Sequence, residues 1–134
     1  MKAARIACIH DYVMSLPLKY NTKIGRDGVG LSQGQRQRIL IARAVYKNPD
    51  YMFLDEATNS LDANNERAIV ENLDTFYQGK TVVIVAHRLS TVRNADQIVV
   101  IDHGKVVETG NHETLTAKRG AYYNLVKNQL ELGN

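Results

Sequence analysis

Two short runs of consecutive apolar residues, 51–54 and 82–86, stand out along this chain. Each is too short for a helix and is bounded by polar or turn-forming residues, so each reads as a fully buried strand. Between them Ile69, Leu73 and Phe76 recur at i, i+4 and i+7, the stripe of an amphipathic helix. Asp62 stands where that helix needs an N-cap, and Gly79 where its end needs a left-handed residue. A strand, one helix and a second strand predict a right-handed βαβ unit with the two strands parallel and adjacent.

The flanking segments follow the same periodicities. Residues 3–15 read as a helix with Ile6, Cys8, Ile9, Val13 and Met14 on its apolar face and Pro17 just beyond. Residues 16–30 read as a loop containing Gly25, Gly28 and Gly30. Ser32 and Gln35 have the spacing of a capping box. They open a helix with Ile39, Leu40, Ala42 and Val45 as its apolar surface, ended by Asn48-Pro49. After the second strand, 89–93 form a helical turn. Residues 97–101 and 106–109 alternate around Asp102-His103-Gly104-Lys105 as a hairpin with a four-residue loop. Asn111 caps a helix to Lys118, and 121–132 form a last helix carrying Tyr122, Leu125, Val126 and Gln129 on one side.

Composition narrows the class. The 134 residues suit one domain, and 44% hydrophobic with 23% charged content is ordinary for a globular protein. No apolar run is long enough to span a bilayer, and the first ten residues lack the shape of a signal peptide. Cys8 is the single cysteine, which excludes an internal disulfide and suits a small core residue. The net charge of +3 comes from scattered Lys and Arg with no aromatic interleaving, so nucleic acid is not an expected partner. His103 and His112 lack metal-ligand spacing and read as surface residues.

Chemistry concentrates at the end of the first strand. Asp55 and Glu56 are adjacent there, and packing gives no reason for two repelling acids. A solvated acidic turn is one explanation. A site for a divalent cation and a water to be deprotonated is the other, since ligands of open α/β sheets bind beyond the C-terminal strand ends. The N-terminus of the helix opened by Ser32 adds free backbone N–H groups and a positive dipole end, which favour phosphate. Gly34 lets a ligand approach that backbone.

Taken together, these segments resemble the ATP-binding cassette (ABC) ATPases. Leu31-Ser32-Gln33-Gly34-Gln35 resembles the family's signature motif, and 51–56 its Walker B strand. Ser60-Leu61-Asp62 resembles its D-loop and His87 its switch histidine. The likeness runs from about residue 3 to 130 and is greatest to exporters, especially of peptides or bacteriocins. Gln33 stands where glycine is commoner, while Ser32 and Gly34 are kept. The resemblance implies an α/β, P-loop NTPase fold of parallel strands flanked by helices, plus a C-terminal hairpin. It makes 1–48 the end of a helical subdomain with the signature, and 49–134 the Walker B, D-loop, switch-histidine and C-terminal helix part. It further implies ATP and Mg²⁺ as cofactors, with Asp55 holding the metal, Glu56 as general base and His87 at the γ-phosphate. Ser32, Gly34 and Gln35 would contact ATP held by a second ATPase domain, with Asp62 nearby. A transmembrane domain is the other implied partner, and the cytoplasmic face of the cell membrane the implied location.

A phosphate-binding run G-x-x-x-x-G-K-[ST] is not found. Gly79-Lys80-Thr81 looks like its tail, but Asp74 stands where the first glycine belongs, and the triplet follows a helix and precedes a strand. The chain therefore reads as the C-terminal half of such an ATPase domain without the P-loop strand. Negligible ATPase activity of the chain alone is expected. So is self-association through a bare strand edge, by strand exchange, or else marginal stability. An ABC-type ATPase of DNA maintenance is disfavoured, because Gln35-Arg36-Gln37-Arg38 follows the signature glycine and heptads are lacking. A non-catalytic module lending its signature surface to a partner stays open.

Overall fold

The computed structural model describes the chain except residues 26, 27, 56–60, 62, 87 and 132–134, and the side chains of 63–65 and 129–131. Seven α-helices and four strands are seen among the described residues, and the chain divides into two compact units, Met1–Val83 and Ile84–Asn134.

The first unit contains four of these helices. The segment expected to be one helix is two, α1 (Lys2–Ile6) and α2 (His10–Ser15). The break falls at Cys8, whose φ of 51° no α-helix accommodates. It lets Ala4, Ala7 and Ile9 all turn inward, which a straight helix would not do. Helix α3 (Gln33–Lys47) starts at the expected capping box and stops at Asn48 in the left-handed conformation. Its buried residues are Ile41 and Val45, whereas Leu40 is exposed. Val45 is buried as expected and Ile39 and Ala42 pack against the same cluster, so the expected face differs only in Leu40, whose place Ile41 takes. Helix α4 (Ala63–Phe76) buries Ile69 and Leu73. These side chains, with Leu61, Ala4, Ala7 and Ile9, form one apolar cluster. The described residues of 16–30 include a 3₁₀ turn, Lys19–Asn21, and Val29 N–H donates to the Lys23 carbonyl.

Strands β1 (Tyr51–Asp55) and β2 (Thr81–Val85) pair in a two-stranded sheet. The amide of Thr81, at the start of β2, donates to the carbonyl of Asp50, just before β1. The two N-terminal ends therefore lie side by side, the arrangement of parallel neighbours expected for the βαβ unit. The expectation of full burial is corrected. Met52 is buried, and Leu54, Val82 and Ile84 are half-buried. On the alternate positions Tyr51 is 71% exposed, Phe53 79%, Val83 45% and Val85 56%. Side chains alternate across a strand, so this sheet has one covered face and one bare apolar face.

The turn after α4 holds Gly79 at a φ of 76°, the left-handed residue expected there. Lys80 is fixed by local structure. Its Nζ donates to the Pro49 carbonyl at 3.0 Å and sits 5.0 Å from the centre of the Phe76 ring. The lysine of the P-loop look-alike thus ties two turns together.

In the second unit, α5 (Leu89–Val92) leads to the antiparallel hairpin of β3 (Ile98–Asp102) and β4 (Lys105–Gly110). The loop is two residues rather than four. His103 and Gly104 take φ of 48° and 73°, and positive φ at both central positions marks the turn that matches strand twist. The register shifts between Val100 and Ile101. Helix α6 (His112–Lys118) has the expected Asn111 cap, with Thr114 completing a capping box. Helix α7 (Ala121–Glu131) buries Tyr122 and Val126 but leaves Leu125 exposed. With Leu89, Ile98, Val100 and Leu115 they make the unit's core. Its N-terminus is held from β4, where the Glu108 carboxylate accepts the Tyr122 amide at 2.7 Å. A Cβ at Gly120 would collide with that carboxylate, so glycine is what admits the contact.

Gly120→Ala should displace Glu108 and lower stability by about 1 kcal/mol in denaturant unfolding. In a Glu108→Ala background the same change should cost little, because the bond is already gone. Burial pushes the Tyr77 phenol up from 10.0, with the Asp74 charge adding to it. Burial also raises Tyr122, against the opposing charge of Arg93. Both groups favour the neutral form in the fold. Their contribution to stability is present below pH 10 and is lost as pH rises beyond it. Alkaline titration of tyrosine absorbance should show two phenols ionising late, with the melting temperature falling over the same range.

Candidate functional site

The start of α3 is the best-defined part of the site. Ser32 lies in extended backbone. Its Oγ accepts the Gln35 amide at 3.2 Å, and the Gln35 side-chain oxygen accepts the Ser32 amide at 2.9 Å. The Ser32 carbonyl takes the Arg36 amide, the first bond of the helix ladder. Helix geometry leaves the amides of Gln33 and Gly34 without intrahelical acceptors. The first turn contains no acidic residue, and Ser32 and Gln33 are exposed. This end can therefore take an anion, with two backbone donors, a serine hydroxyl and the positive end of the helix dipole facing it.

Arg36 adds a contact that the motif spacing did not reveal. Its Nε and Nη2 donate to the Leu31 carbonyl at 3.4 and 3.2 Å. The residue before the cap is thereby tied to the second turn of the helix. Arg38, two residues on, lies on another side of α3, and its Nη1 donates to the Cys8 carbonyl at 2.8 Å. The alternation QRQR was the available signal, since residues two apart on a helix point in different directions.

Asp55, the expected metal position, ends β1 and is exposed. Among the described residues it has no ion-pair partner, and no group of three His, Cys, Asp or Glu side chains could hold a metal. One free carboxylate suits Mg²⁺, which keeps several waters and is bound through one or two carboxylates plus substrate phosphates. Glu56, Asp62 and His87, the expected base, D-loop residue and switch histidine, lie outside the described residues. The structure thus describes Ser32, Gly34, Gln35 and Asp55 of the expected set, all within the first unit.

The remaining candidates are structural. Cys8 is half-buried, and burial pushes its thiol up. His103 is exposed, and its Nδ1 lies 2.8 Å from the Asp102 carboxylate. His112 is less of a surface residue than expected, with its ring Nδ1 2.9 Å from the Tyr122 hydroxyl. A cleft of about 480 Å³ lined by Pro17, Leu18, Asn21, Thr22, Lys23, Gly28 and Val29 contains none of the motif residues.

Comparison with known proteins agrees with the motif reading. The ABC transporter family profile matches residues 3–59. The chain is 53% identical over 127 residues to the ATP-dependent lipid A-core flippase of Saccharophagus degradans, covering 95% of this chain and 22% of that protein. It is 52% identical over 131 residues to ABC transporter B family member 19 of Arabidopsis thaliana, covering 98% of this chain and 10% of that protein. Among solved structures, a bacterial Atm1-family ABC exporter with ATP bound matches at a TM-score of 0.85 and 38% identity, over 95% of this chain and 22% of that one. The chain thus spans between a tenth and about a fifth of these relatives. Motifs, fold and relatives converge on one assignment: the chain belongs to the ABC transporter family and resembles part of the ATPase domain of its exporters.

Proposed function

We propose that these residues supply the signature surface and the Walker B acids of an ATPase that drives transport across a membrane. The observation that carries this reading is the acid-free, serine-capped N-terminus of α3 in the same unit as a strand ending in an exposed aspartate. Ser32, Gly34 and Gln35 would face the γ-phosphate of ATP held by a second ATPase domain, with Asp62 beside that interface. Asp55 would hold Mg²⁺, directly or through water; when bound, the ion offsets charge on the phosphate oxygens. Glu56 would take the proton of the attacking water, and His87 would contact the γ-phosphate and stabilise charge in the transition state. The exposed side chain of Asp55 fits a hydrated ion, and the exposed Ser32 fits a phosphate arriving from outside the chain.

The second ATPase domain and a transmembrane domain are the partners this role requires, and the cytoplasmic face of the membrane is where they would meet. The 1–48 and 49–134 parts would then act as the end of a helical subdomain and as a catalytic segment. Peptide cargo rests on Gln33 alone. Cargo choice would be set by the transmembrane domain, so exchanging that domain should change the cargo and leave ATP turnover in place. The bare apolar face of β1 and β2 supports self-association of the 134-residue chain.

Replacing the matching 127 residues of the Saccharophagus degradans flippase with this chain should preserve ATP turnover to within about tenfold. Glu56→Gln in that chimera should cost roughly 10²–10⁴ in rate. A folded, membrane-inserted chimera without turnover, or a Glu56→Gln variant as fast as its parent, would overturn the assignment. The 134-residue chain by itself should hydrolyse ATP negligibly. In light scattering it should sediment or elute as more than one copy, and Phe53→Ser should shift it toward monomer. A monomeric parent chain would count against the self-association.

A further inference from the structure

The break between α1 and α2 has a consequence for the site. A continuous helix would pair the carbonyls of Ile6 and Cys8 with amides one turn ahead. The left-handed Cys8 ends that ladder, and no backbone donor reaches either carbonyl among the described residues. Besides a long contact of the Cys8 thiol with the Ile6 carbonyl at 3.9 Å, two side chains from different helices meet them. Arg38 of α3 donates to the Cys8 carbonyl at 2.8 Å. Asn72 of α4 donates to the Ile6 carbonyl at 3.2 Å and approaches the Cys8 sulfur at 3.5 Å. Helix α1 itself packs against both α3 and α4. Among the described residues Arg38 Nε is buried without a partner, a cost that a freely solvated arginine would avoid.

We propose that Arg38 and Asn72 are positioning residues, which set the N-terminus of α3 in register with α4 by gripping the Ile6–Cys8 turn from both sides. This rests on the function proposed above, because α3 begins at the phosphate-facing Ser32 and α4 follows Asp62. A shift of either helix would move the serine cap relative to the acids. The short turn transmits the constraint because both of its orphan carbonyls are fixed, one by each helix. Neither residue needs to touch nucleotide.

The test has two arms. In the 134-residue chain, Asn72→Leu should speed amide exchange at Gln35 and Arg36 by about 2- to 10-fold, with an unchanged melting temperature. Asn72→Gln, which keeps the donor, should restore most of the protection. Arg38→Met should act in the same direction and Arg38→Lys should largely rescue it. The Met/Leu double variant should fall short of the product of the singles, since both loosen one turn. Exchange at Gln35 and Arg36 equal to the parent in both Asn72→Leu and Arg38→Met would overturn the proposal. If Arg38→Met fails to fold, Asn72→Leu alone decides it, and parent-like exchange in that variant overturns the proposal. In the flippase chimera, Asn72→Leu should lower turnover at saturating ATP about 2- to 10-fold, with rescue by Asn72→Gln. A chimera inactive before any substitution would instead refute the assigned function, while the exchange measurement on the chain still judges the grip.

Discussion

The first unit depends on the close approach of three helices around small side chains. Ala4 and Ala7 of the α1 segment offer almost no bulk, so Ile41 and Val45 of α3 and Ile69 and Leu73 of α4 pack into one cluster with them. Burying each of the larger side chains contributes about 1.5–3 kcal/mol. A larger residue at Ala7, which is fully buried, would have to push α3 or α4 outward. The serine cap is therefore presented by a helix whose far side is locked into a shared core. The break at Cys8 follows from the same demand, since it is what brings Ile9 into the cluster beside Ala4 and Ala7.

The sheet shows the opposite condition. Its covered face holds Met52 with Leu54, Val82 and Ile84, and its other face exposes two aromatic and two valine side chains. Strands that are apolar on both faces are the composition of a sheet meant to be covered twice. The sequence of 51–54 and 82–86 thus carries a requirement that the described residues satisfy only on one side. Asp55 stands at the end of this half-covered sheet, reachable from solvent.

Much of the local structure was legible beforehand. The start of α3 was written in Ser32 and Gln35, and that of α6 in Asn111. Turn positions were readable from Gly79 and Gly104, because positive φ has few willing residues. The four motifs named the family. Besides the burial expected of the two strands and of Leu125, and the surface position expected of His112, three expectations about the elements missed. Leu40 was expected to be buried and Ile41 was not considered; the two differ by one position, and only the placement of α1 decides which is covered. The hairpin loop was expected to be four residues, but cross-strand pairing extends through Asp102 and Lys105. The helix at 3–15 had no sequence-level breaker, since cysteine seldom takes a left-handed conformation.

The caps of α3 and α6 and the left-handed glycine positions were settled by the sequence alone, because the groups that satisfy them lie within about four residues of one another. The placement of Arg38 and Asn72 on one turn, the inward face of α3 and the uncovered face of β1 and β2 were decided by the tertiary structure. The residues that meet there are separated by 30 to 66 positions. No local pattern encodes which orphan carbonyl a distant side chain will reach. That choice is made only when burial of the shared core fixes the helices against each other.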